Sequence, residues 1–208
     1  MLRLTPLRLL AAPGSAFAEK ITAAASNLAR VTPALVAAFT ASSPATKVTF
    51  VHASTGNLVA QIHHGAPFDV LLAADLAYPQ SLVSRGDGIA GTLFTFGHGC
   101  LVLLPAPPNN PADWPRELAS PTVSRIAIAN PATAPYGRAA KALLERHHIW
   151  LRLQPRIVEG ENVAQALQFA HSGNVNYAFV AASLLTPEMF PGLPQPQSRQ
   201  SSIPISNV

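Results

Sequence analysis

The sequence predicts an α/β fold in two lobes, each built on a largely parallel sheet. Short apolar strands alternate with segments of helical periodicity along most of the chain, which is typical of parallel sheets covered by helices. A loop-rich stretch with several glycines interrupts this alternation between residues 86 and 98, and such a change of composition marks a domain boundary. With 208 residues, 49% of them apolar, and a mean hydropathy of +0.24, the chain can bury a core of this kind.

The start of the chain is predicted to be a secretory signal. Arg3 and Arg8 precede or flank a short apolar run, and Ala16-Phe17-Ala18 is a small-x-small cleavage pattern. The alternative is an irregular start, because the apolar run is shorter than the usual signal core of about 7–15 residues. The expected domains are a signal peptide over 1–18, a first lobe over 19–98, a second lobe over 99–185 and an atypical Pro-rich tail over 186–208.

In the first lobe, each of three strands is expected to lead through a polar turn into a helix. The strands are expected over residues 20–25, 48–53 and 69–74. The helices are expected to begin at Ser26-Asn27, at Ser54-Thr55 and after Asp75, which would act as an N-cap. Pro33 cannot donate in a helix ladder, so the first helix is either kinked or begins late, with Thr32 as cap and Pro33 in the first position.

In the second lobe, the same alternation is expected to follow a strand at residues 99–104. The further strands are expected over 125–129, 156–158 and 176–180. A turn-rich loop over 130–137 is expected to precede a helix from Arg138 to His147, and residues 160–163 are expected to cap a second helix.

Charge, apolar runs and cysteine content exclude several classes of function. The formal net charge is +4 and the basic residues are scattered, so nucleic-acid binding gains no support. No apolar run of about 18 residues occurs, so no transmembrane helix is predicted. Cys100 is the only cysteine, which excludes an internal disulfide and a thiolate cluster, and its apolar neighbours indicate a buried strand residue. The pairs His63-His64 and His147-His148 lack the spacing of helical zinc ligands and are interpreted as surface residues.

Several loops that follow strands carry hydroxyl, amide or glycine residues directly ahead of a helix. In open α/β sheets, ligands bind beyond the carboxyl ends of the strands, where helix N-termini present unpaired N–H groups and a partial positive charge. A small dehydrated anion would find hydrogen-bond donors there. We therefore predict a cleft lined by Ser26, Asn27, Ser54 and Thr55 from the first lobe and by Tyr136 and Val163 from the second. Taken singly, each position is also explained as a helix cap or a core residue.

Four linked motifs carry a resemblance to a known family. The first lobe contains the segments 23–28, 53–58 and 65–70, the last followed by Ala74-Asp75, and the second contains 130–140 together with 160–166. In order and spacing they resemble the periplasmic molybdate-binding proteins of ABC transporters, from about residue 20 to about residue 184. The resemblance implies a two-lobed fold of the periplasmic-binding-protein type, with a mostly parallel sheet flanked by helices in each lobe.

The same resemblance implies a function and a binding mode. The protein would capture molybdate or tungstate outside the cytoplasm and deliver it to the membrane permease of an ABC importer. In that family, neutral hydroxyls and main-chain N–H groups hold the oxyanion. Carried over by position, Ser26, Asn27 and Thr55, with Ser54 beside it, match side-chain donors, while Tyr136 and Val163 match positions that act mainly through the backbone.

The resemblance further implies a periplasmic monomer that is not an enzyme, has no cofactor and binds no nucleic acid. Molybdenum would be bound only as the oxyanion, never as a bare metal ion. Arg138 is interpreted as a solvated helix residue, with a counter-charge behind the site as the alternative.

Other functions remain open at this point. The C-terminal helical return of that family is expected to be absent, because residues 186–208 contain five prolines, so a truncated and impaired copy is one alternative. Further alternatives are a binding protein for sulfate or another oxyanion and a ligand-sensing domain. A hydrolase or transferase with Ser26 or Ser54 as nucleophile would need an adjacent base, and neither serine lies in a G-x-S-x-G elbow.

Overall fold

The computed structural model describes residues 18–105 and 113–186, and the backbone of residues 203 and 204. The expected signal peptide lies outside the described residues except for Ala18, and so does most of the expected tail. The described helices and strands form two lobes around two sheets, which confirms the predicted α/β class. No described helix is both long and apolar enough to cross a membrane.

The first lobe is built on a three-stranded parallel sheet in the order β2-β1-β3. Its strands are β1 (Ala18–Ala25), β2 (Thr46–Ala53) and β3 (Val70–Leu72), and its helices are α1 (Thr32–Ser42), α2 (Thr55–His63) and α3 (Ala77–Arg85). β1 pairs with β2 along its whole length, from Ala18 opposite Thr46 to Ala25 opposite Ala53. The residues that follow Ala25 and Ala53 therefore lie at the same edge of the sheet.

The helix that follows β1 begins later than its polar start predicts. Ser26–Leu28 form a short 3₁₀ turn, and α1 begins at Thr32 with Pro33 in its first turn. The expectation of a helix from Ser26 was therefore wrong, and the late start is correct, with Val31 rather than Thr32 as the cap. Proline lacks the N–H that the helix interior needs but is tolerated in the first turn. Ser26 and Asn27 consequently stay at the end of β1, outside α1.

The second lobe is built on a five-stranded mixed sheet in the order β6-β5-β7-β4-β8. Its strands are β4 (Cys100–Leu104), β5 (Ile126–Ala129), β6 (Ile157–Gly160), β7 (Tyr177–Ala181) and β8 (Ile203–Pro204), and its helices are α4 (Trp114–Leu118), α5 (Pro135–Arg146), α6 (Trp150–Leu153) and α7 (Val163–His171). β5 runs parallel to β6 and β7, while β4 is antiparallel to β7 and β8.

Some elements of this lobe differ from expectation. α5 begins three residues before the predicted Arg138, because Pro135 is well suited to a first helical position. α4 and α6 were not predicted, since five and four residues are too few to show a helical period. Ile203 and Pro204, within the expected tail, pair with the start of β4. Cys100, the first residue of β4, is half-buried rather than buried.

The main hydrophobic core lies in the second lobe, around β5 and β7. All four residues of β5 are buried, and α5 and α7 pack against the sheet. Gly137 permits a close approach here, because a Cβ at this position would lie 2.1 Å from the carbonyl oxygen of Ala129. The first turn of α5 is thereby held directly against the carboxyl end of β5.

Candidate functional site

A cavity lies between the two lobes, at the carboxyl ends of their parallel strands, and all six residues predicted for the site line it. The lining consists of Ala25, Ser26, Asn27, Ser54, Thr55 and Ala74 from the first lobe and Ala134, Pro135, Tyr136 and Val163 from the second. The cavity volume is about 10 Å³. The two lobes therefore lie close together around the cavity.

Ser54 and Thr55 contribute hydroxyl groups from the start of α2. Ser54 is the N-cap residue, yet its side chain makes no capping bond, and its Oγ is buried without a hydrogen-bond partner. Leaving such a group unpaired costs about 1–3 kcal/mol, so a ligand is the natural partner. Thr55 is fully buried, and its Oγ1 accepts a hydrogen bond from the Ala74 N–H at 3.2 Å. Its own hydroxyl hydrogen stays free to donate into the cavity.

Ser26 and Asn27 reach the cavity from the 3₁₀ turn that follows β1. Both are buried, and the Oδ1 atom of Asn27 has no hydrogen-bond partner. The turn is tied to the second lobe, because the Ser183 hydroxyl donates to the main-chain oxygen of Asn27 at 2.6 Å. An amide carries both an acceptor and two donor hydrogens, so rotation of the Asn27 side chain can present either group to a ligand.

Tyr136 lies in the first turn of α5, with its ring buried. As the second helical residue it has a main-chain N–H that no helical carbonyl accepts. Burial raises the pKa of the Tyr136 hydroxyl well above its ordinary value; the Cys100 thiol adds to this rise, and the Ser183 and Asn27 side chains partly oppose it. The side chain is therefore a neutral hydrogen-bonding group at physiological pH.

Val163 is the first residue of α7, and its N–H group is also unused by the helix. The cap residue Asn162 accepts hydrogen bonds through Oδ1 from the N–H groups of Ala164 at 3.0 Å and Gln165 at 3.2 Å. The cap thus satisfies the second and third N–H groups of the helix and leaves the first, that of Val163, for the cavity. The Val163 side chain is buried in the core of the second lobe.

The electrostatic character of the site comes from dipoles rather than charged side chains. Three helix N-termini, those of α2, α5 and α7, meet at the cavity, and each carries a partial positive charge. The lining contains no Lys, Arg, His, Asp or Glu. Among the described residues, no group of three or more His, Cys, Asp or Glu side chains is placed to hold a metal ion. The arrangement is suited to a small anion held by hydroxyls and N–H groups.

The structure adds residues that the sequence did not indicate. Ala25, Ala74, Ala134 and Pro135 line the cavity, but small apolar residues at strand and helix ends carry no chemical signature. Ser183 was missed because it lies in a 3₁₀ turn beyond the last strand. The interpretation of Arg138 as a solvated residue was wrong, since its side chain forms an ion pair with Asp75 across the two lobes.

Asp75 itself differs from the predicted N-cap. α3 begins at Ala77 with Leu76 in the cap position, and Asp75 lies one residue earlier. Its Oδ1 atom nevertheless accepts a hydrogen bond from the N–H of Tyr78 at 3.2 Å, so the carboxylate still serves the first turn of α3. The other carboxylate oxygen, Oδ2, is the one that pairs with Arg138.

Comparison with known proteins finds relatives that are named for molybdate binding. The molybdate-binding protein ModA of Rhodobacter capsulatus is 37% identical over 174 residues, which are 84% of this chain and 68% of the relative. The molybdate-binding protein ModA of Azotobacter vinelandii is 42% identical over 129 residues, which are 62% of this chain and 51% of the relative. The chain therefore spans about two thirds of the first relative and about half of the second.

A solved structure gives the same result at the level of the fold. The periplasmic molybdate-binding protein of Azotobacter vinelandii aligns with a TM-score of 0.74 and 32% identity, covering 82% of this chain and 74% of that one. The sequence profile described as "Bacterial extracellular solute-binding protein" matches residues 21–205. Because this match includes both lobes and the whole cavity lining, the chain belongs to the family of bacterial extracellular solute-binding proteins.

Proposed function

We propose that the protein captures molybdate, or the similar anion tungstate, in the cleft and delivers it to the membrane permease of an ABC importer. The observation that carries this proposal is that all six predicted residues line one cavity, in which the hydroxyl of Ser54 is buried without a partner. The two relatives at 37% and 42% identity, both named molybdate-binding proteins, support the choice of ligand.

The donor set fits a tetrahedral oxyanion. Such an anion presents four oxygen atoms in fixed directions, and the cleft supplies donors from opposite sides. Hydroxyl donors come from Ser26, Ser54 and Thr55, and main-chain N–H donors come from Tyr136 and Val163. The Asn27 side chain adds a further donor when its NH₂ group faces the ligand. Neutral donors select an anion by its size and geometry, so the similar anions molybdate and tungstate are both expected to bind.

The partners and location follow from the same proposal. The mature protein acts outside the cytoplasm as a monomer, after export directed by residues 1–18, and it binds no nucleic acid. It carries out no turnover, because Ser26 and Ser54 have no histidine or carboxylate beside them in the lining to accept a proton. After export, the mature chain is expected to begin at Glu19. Mass spectrometry of the periplasmic fraction tests this by measuring the mass of the exported chain.

Isothermal titration calorimetry of the purified protein tests the ligand. Molybdate and tungstate are each expected to bind in a one-to-one ratio without an added cation. Ligand at about one hundred times Kd should stabilise the fold by about 2.7 kcal/mol, which appears as a rise in melting temperature. Heat and thermal stabilisation with sulfate or phosphate, and none with molybdate or tungstate, would show that the ligand assignment is wrong.

A further inference from the structure

Three side chains join the two lobes at the rim of the cleft without lining the cavity. Arg138 of α5 donates a hydrogen bond from Nη2 to Oδ2 of Asp75 and another from Nη1 to the hydroxyl of Tyr78 at 3.1 Å. Its guanidinium carbon also lies 4.7 Å from the centre of the Tyr78 ring. Asp75 and Tyr78 belong to the first lobe. We call these three residues the clasp.

We propose that the clasp holds the cleft closed and so sets the affinity for the anion without touching it. This inference rests on the proposed function. Asp75 directly follows Ala74 of the cavity wall, and Arg138 lies two residues after Tyr136. Formation of the clasp therefore places the first turn of α5 opposite the hydroxyls of the first lobe. A contact that favours the closed form raises the apparent affinity in proportion to the closed population.

A main-chain contact beside the clasp shows how closely the lobes fit. The Gly56 N–H donates to the carbonyl oxygen of Thr133 at 2.8 Å, and the Tyr78 hydroxyl donates to that of Ala132 at 3.3 Å. A Cβ at position 56 would lie 2.5 Å from the Tyr78 hydroxyl oxygen and 2.7 Å from the Thr133 carbonyl oxygen. Only glycine allows this approach, so the two lobes can meet here because residue 56 has no side chain.

The charges of the clasp argue against a direct role of Arg138 as counter-ion for the anion. Its guanidinium is already paired with the Asp75 carboxylate, so the pair adds little net charge to the cleft. The two explanations predict opposite signs for Asp75→Asn. Removing a negative charge near a bound anion should strengthen binding if Arg138 acts on the anion directly. The same change should weaken binding if the ion pair acts by closing the lobes.

Calorimetric titration with molybdate distinguishes these explanations. Asp75→Asn and Arg138→Gln are each expected to weaken binding about fivefold to twentyfold, within the usual range of coupling between two sites. The double variant should be no weaker than either single variant, because both remove the same interaction. Asp75→Asn keeps Oδ1 for the Tyr78 N–H, so α3 retains its first-turn bond. The matched control is Arg146→Gln, an exposed residue in the last turn of the same helix, which should bind as the wild type does.

The variant Gly56→Ala tests closure without changing any charge. Alanine is favoured over glycine in a helix, so α2 and the first lobe should be as stable as before or more so. The added methyl group would nevertheless separate the Tyr78 hydroxyl from Thr133. We expect affinity for molybdate to fall at least tenfold while the melting temperature of the ligand-free protein is maintained.

Amide hydrogen exchange at Gly56 reports closure independently of any ligand. Gly56 is the second residue of α2, so its N–H has no acceptor within the helix and is protected only by Thr133 in the other lobe. Its exchange should accelerate about tenfold in Asp75→Asn and in Arg138→Gln. The N–H of Leu58, bonded to the carbonyl oxygen of the cap residue Ser54 in the same lobe, is the internal control and should exchange at an unchanged rate.

The possible results separate the clasp from the proposed function. Unchanged exchange at Gly56 in both variants, or tighter molybdate binding by Asp75→Asn, would overturn the clasp. If the wild type binds no molybdate but Gly56 exchange still depends on Asp75 and Arg138, the clasp stands as a lobe-closing contact and the ligand assignment fails. Weaker binding together with faster Gly56 exchange supports both.

Discussion

A serine at the N-cap of a helix usually accepts a hydrogen bond from the first turn, and Ser54 does not. Its hydroxyl and the Asn27 amide oxygen belong to the lining of the same cavity, and both atoms are buried without a partner. Asn162, the cap of α7, shows the ordinary arrangement with two accepted N–H bonds. The contrast distinguishes Asn162, whose side chain caps its helix, from Ser54, whose hydroxyl we propose as a donor to the ligand.

Ser54→Ala should therefore separate binding from stability. Loss of one donor to a charged oxygen is expected to weaken molybdate binding by about 1.5–3 kcal/mol, roughly tenfold to a hundredfold. The free energy of unfolding without ligand should stay constant or rise, because an unpaired buried hydroxyl is removed. Asn162→Ala is the comparison and should lower the free energy of unfolding by about 1 kcal/mol. Equal losses of stability in the two variants, measured by urea denaturation, would mean that Ser54 is only a cap.

At Val163, the N–H group and the side chain can be tested separately. Val163→Pro deletes the N–H at the first position of α7, where proline is well tolerated, and Asn162 before it is already extended, as a residue before proline must be. We expect molybdate affinity to fall tenfold to a hundredfold in this variant. Val163→Ala keeps the N–H and should bind within about threefold of the wild type. Calorimetry that finds the reverse order would assign the contribution to the side chain.

At the scale of elements, the junction between strand and helix is the repeated unit of this site. β1, β2, β5 and β6 each end at the cleft, and each is followed by a turn that presents polar groups. The start of α2 and that of α7 were predictable, because strand, cap and apolar helix face follow one another within a few residues. The late start of α1 depended on Pro33, a local signal that left two alternatives open.

Other elements could not be predicted for physical reasons. α4 and α6 are too short to show periodicity, and the pairing of β4 with β8 depends on residues about 100 positions apart. The early start of α5 follows from Pro135 and from the close contact of Gly137 with β5. The cross-lobe pair of Asp75 and Arg138 joins residues 63 positions apart, and nothing local in the sequence indicates it.

Gly137→Ala tests the contact that positions the first turn of α5. An added Cβ would overlap the Ala129 carbonyl oxygen, so the helix start must move away from β5. We expect a loss of about 1–3 kcal/mol in the free energy of unfolding, as for other overpacked positions, and weaker molybdate binding through displacement of the Tyr136 N–H. Gly97→Ala is the control, because a Cβ there meets nothing within 4 Å. Denaturation curves that leave Gly137→Ala as stable as Gly97→Ala would contradict this packing argument.

At the scale of the whole molecule, the two lobes differ in how many hydrophobic side chains they bury. The large buried cluster belongs to the second lobe, whereas α1 of the first lobe has Thr32 as its one buried residue. The cleft lies between a strongly packed lobe, which carries the main-chain N–H groups of Tyr136 and Val163, and a lightly packed one, which carries the hydroxyls. The sequence predicted both lobes and six of the ten lining residues, because each of the six lies where a strand is followed by the start of a helix. It did not predict how the lobes touch, since that depends on contacts between distant parts of the chain.

The stability of the whole molecule should fall at high pH because of two buried tyrosines. Burial and a hydrogen bond to Glu117 raise the pKa of Tyr177 to about 12, and burial raises that of Tyr136 as well. An unfolded tyrosine titrates near pH 10, so between pH 10 and 12 the folded state binds more protons than the unfolded state. The stabilisation is complete below pH 10 and is lost as the pH rises through the folded pKa.

Tyr177→Phe isolates this effect. Urea denaturation from pH 8 to pH 11.5 should give a free energy of unfolding for the wild type that falls above pH 10, by up to about 1.4 kcal/mol per pH unit for each tyrosine. The variant loses the bond between the hydroxyl and Glu117 Oε1, 3.1 Å long, and should start from a lower value at pH 8. Its decline above pH 10 should be shallower, because one titrating group is gone. Parallel curves for the two proteins would show that Tyr177 has an ordinary pKa in the folded state.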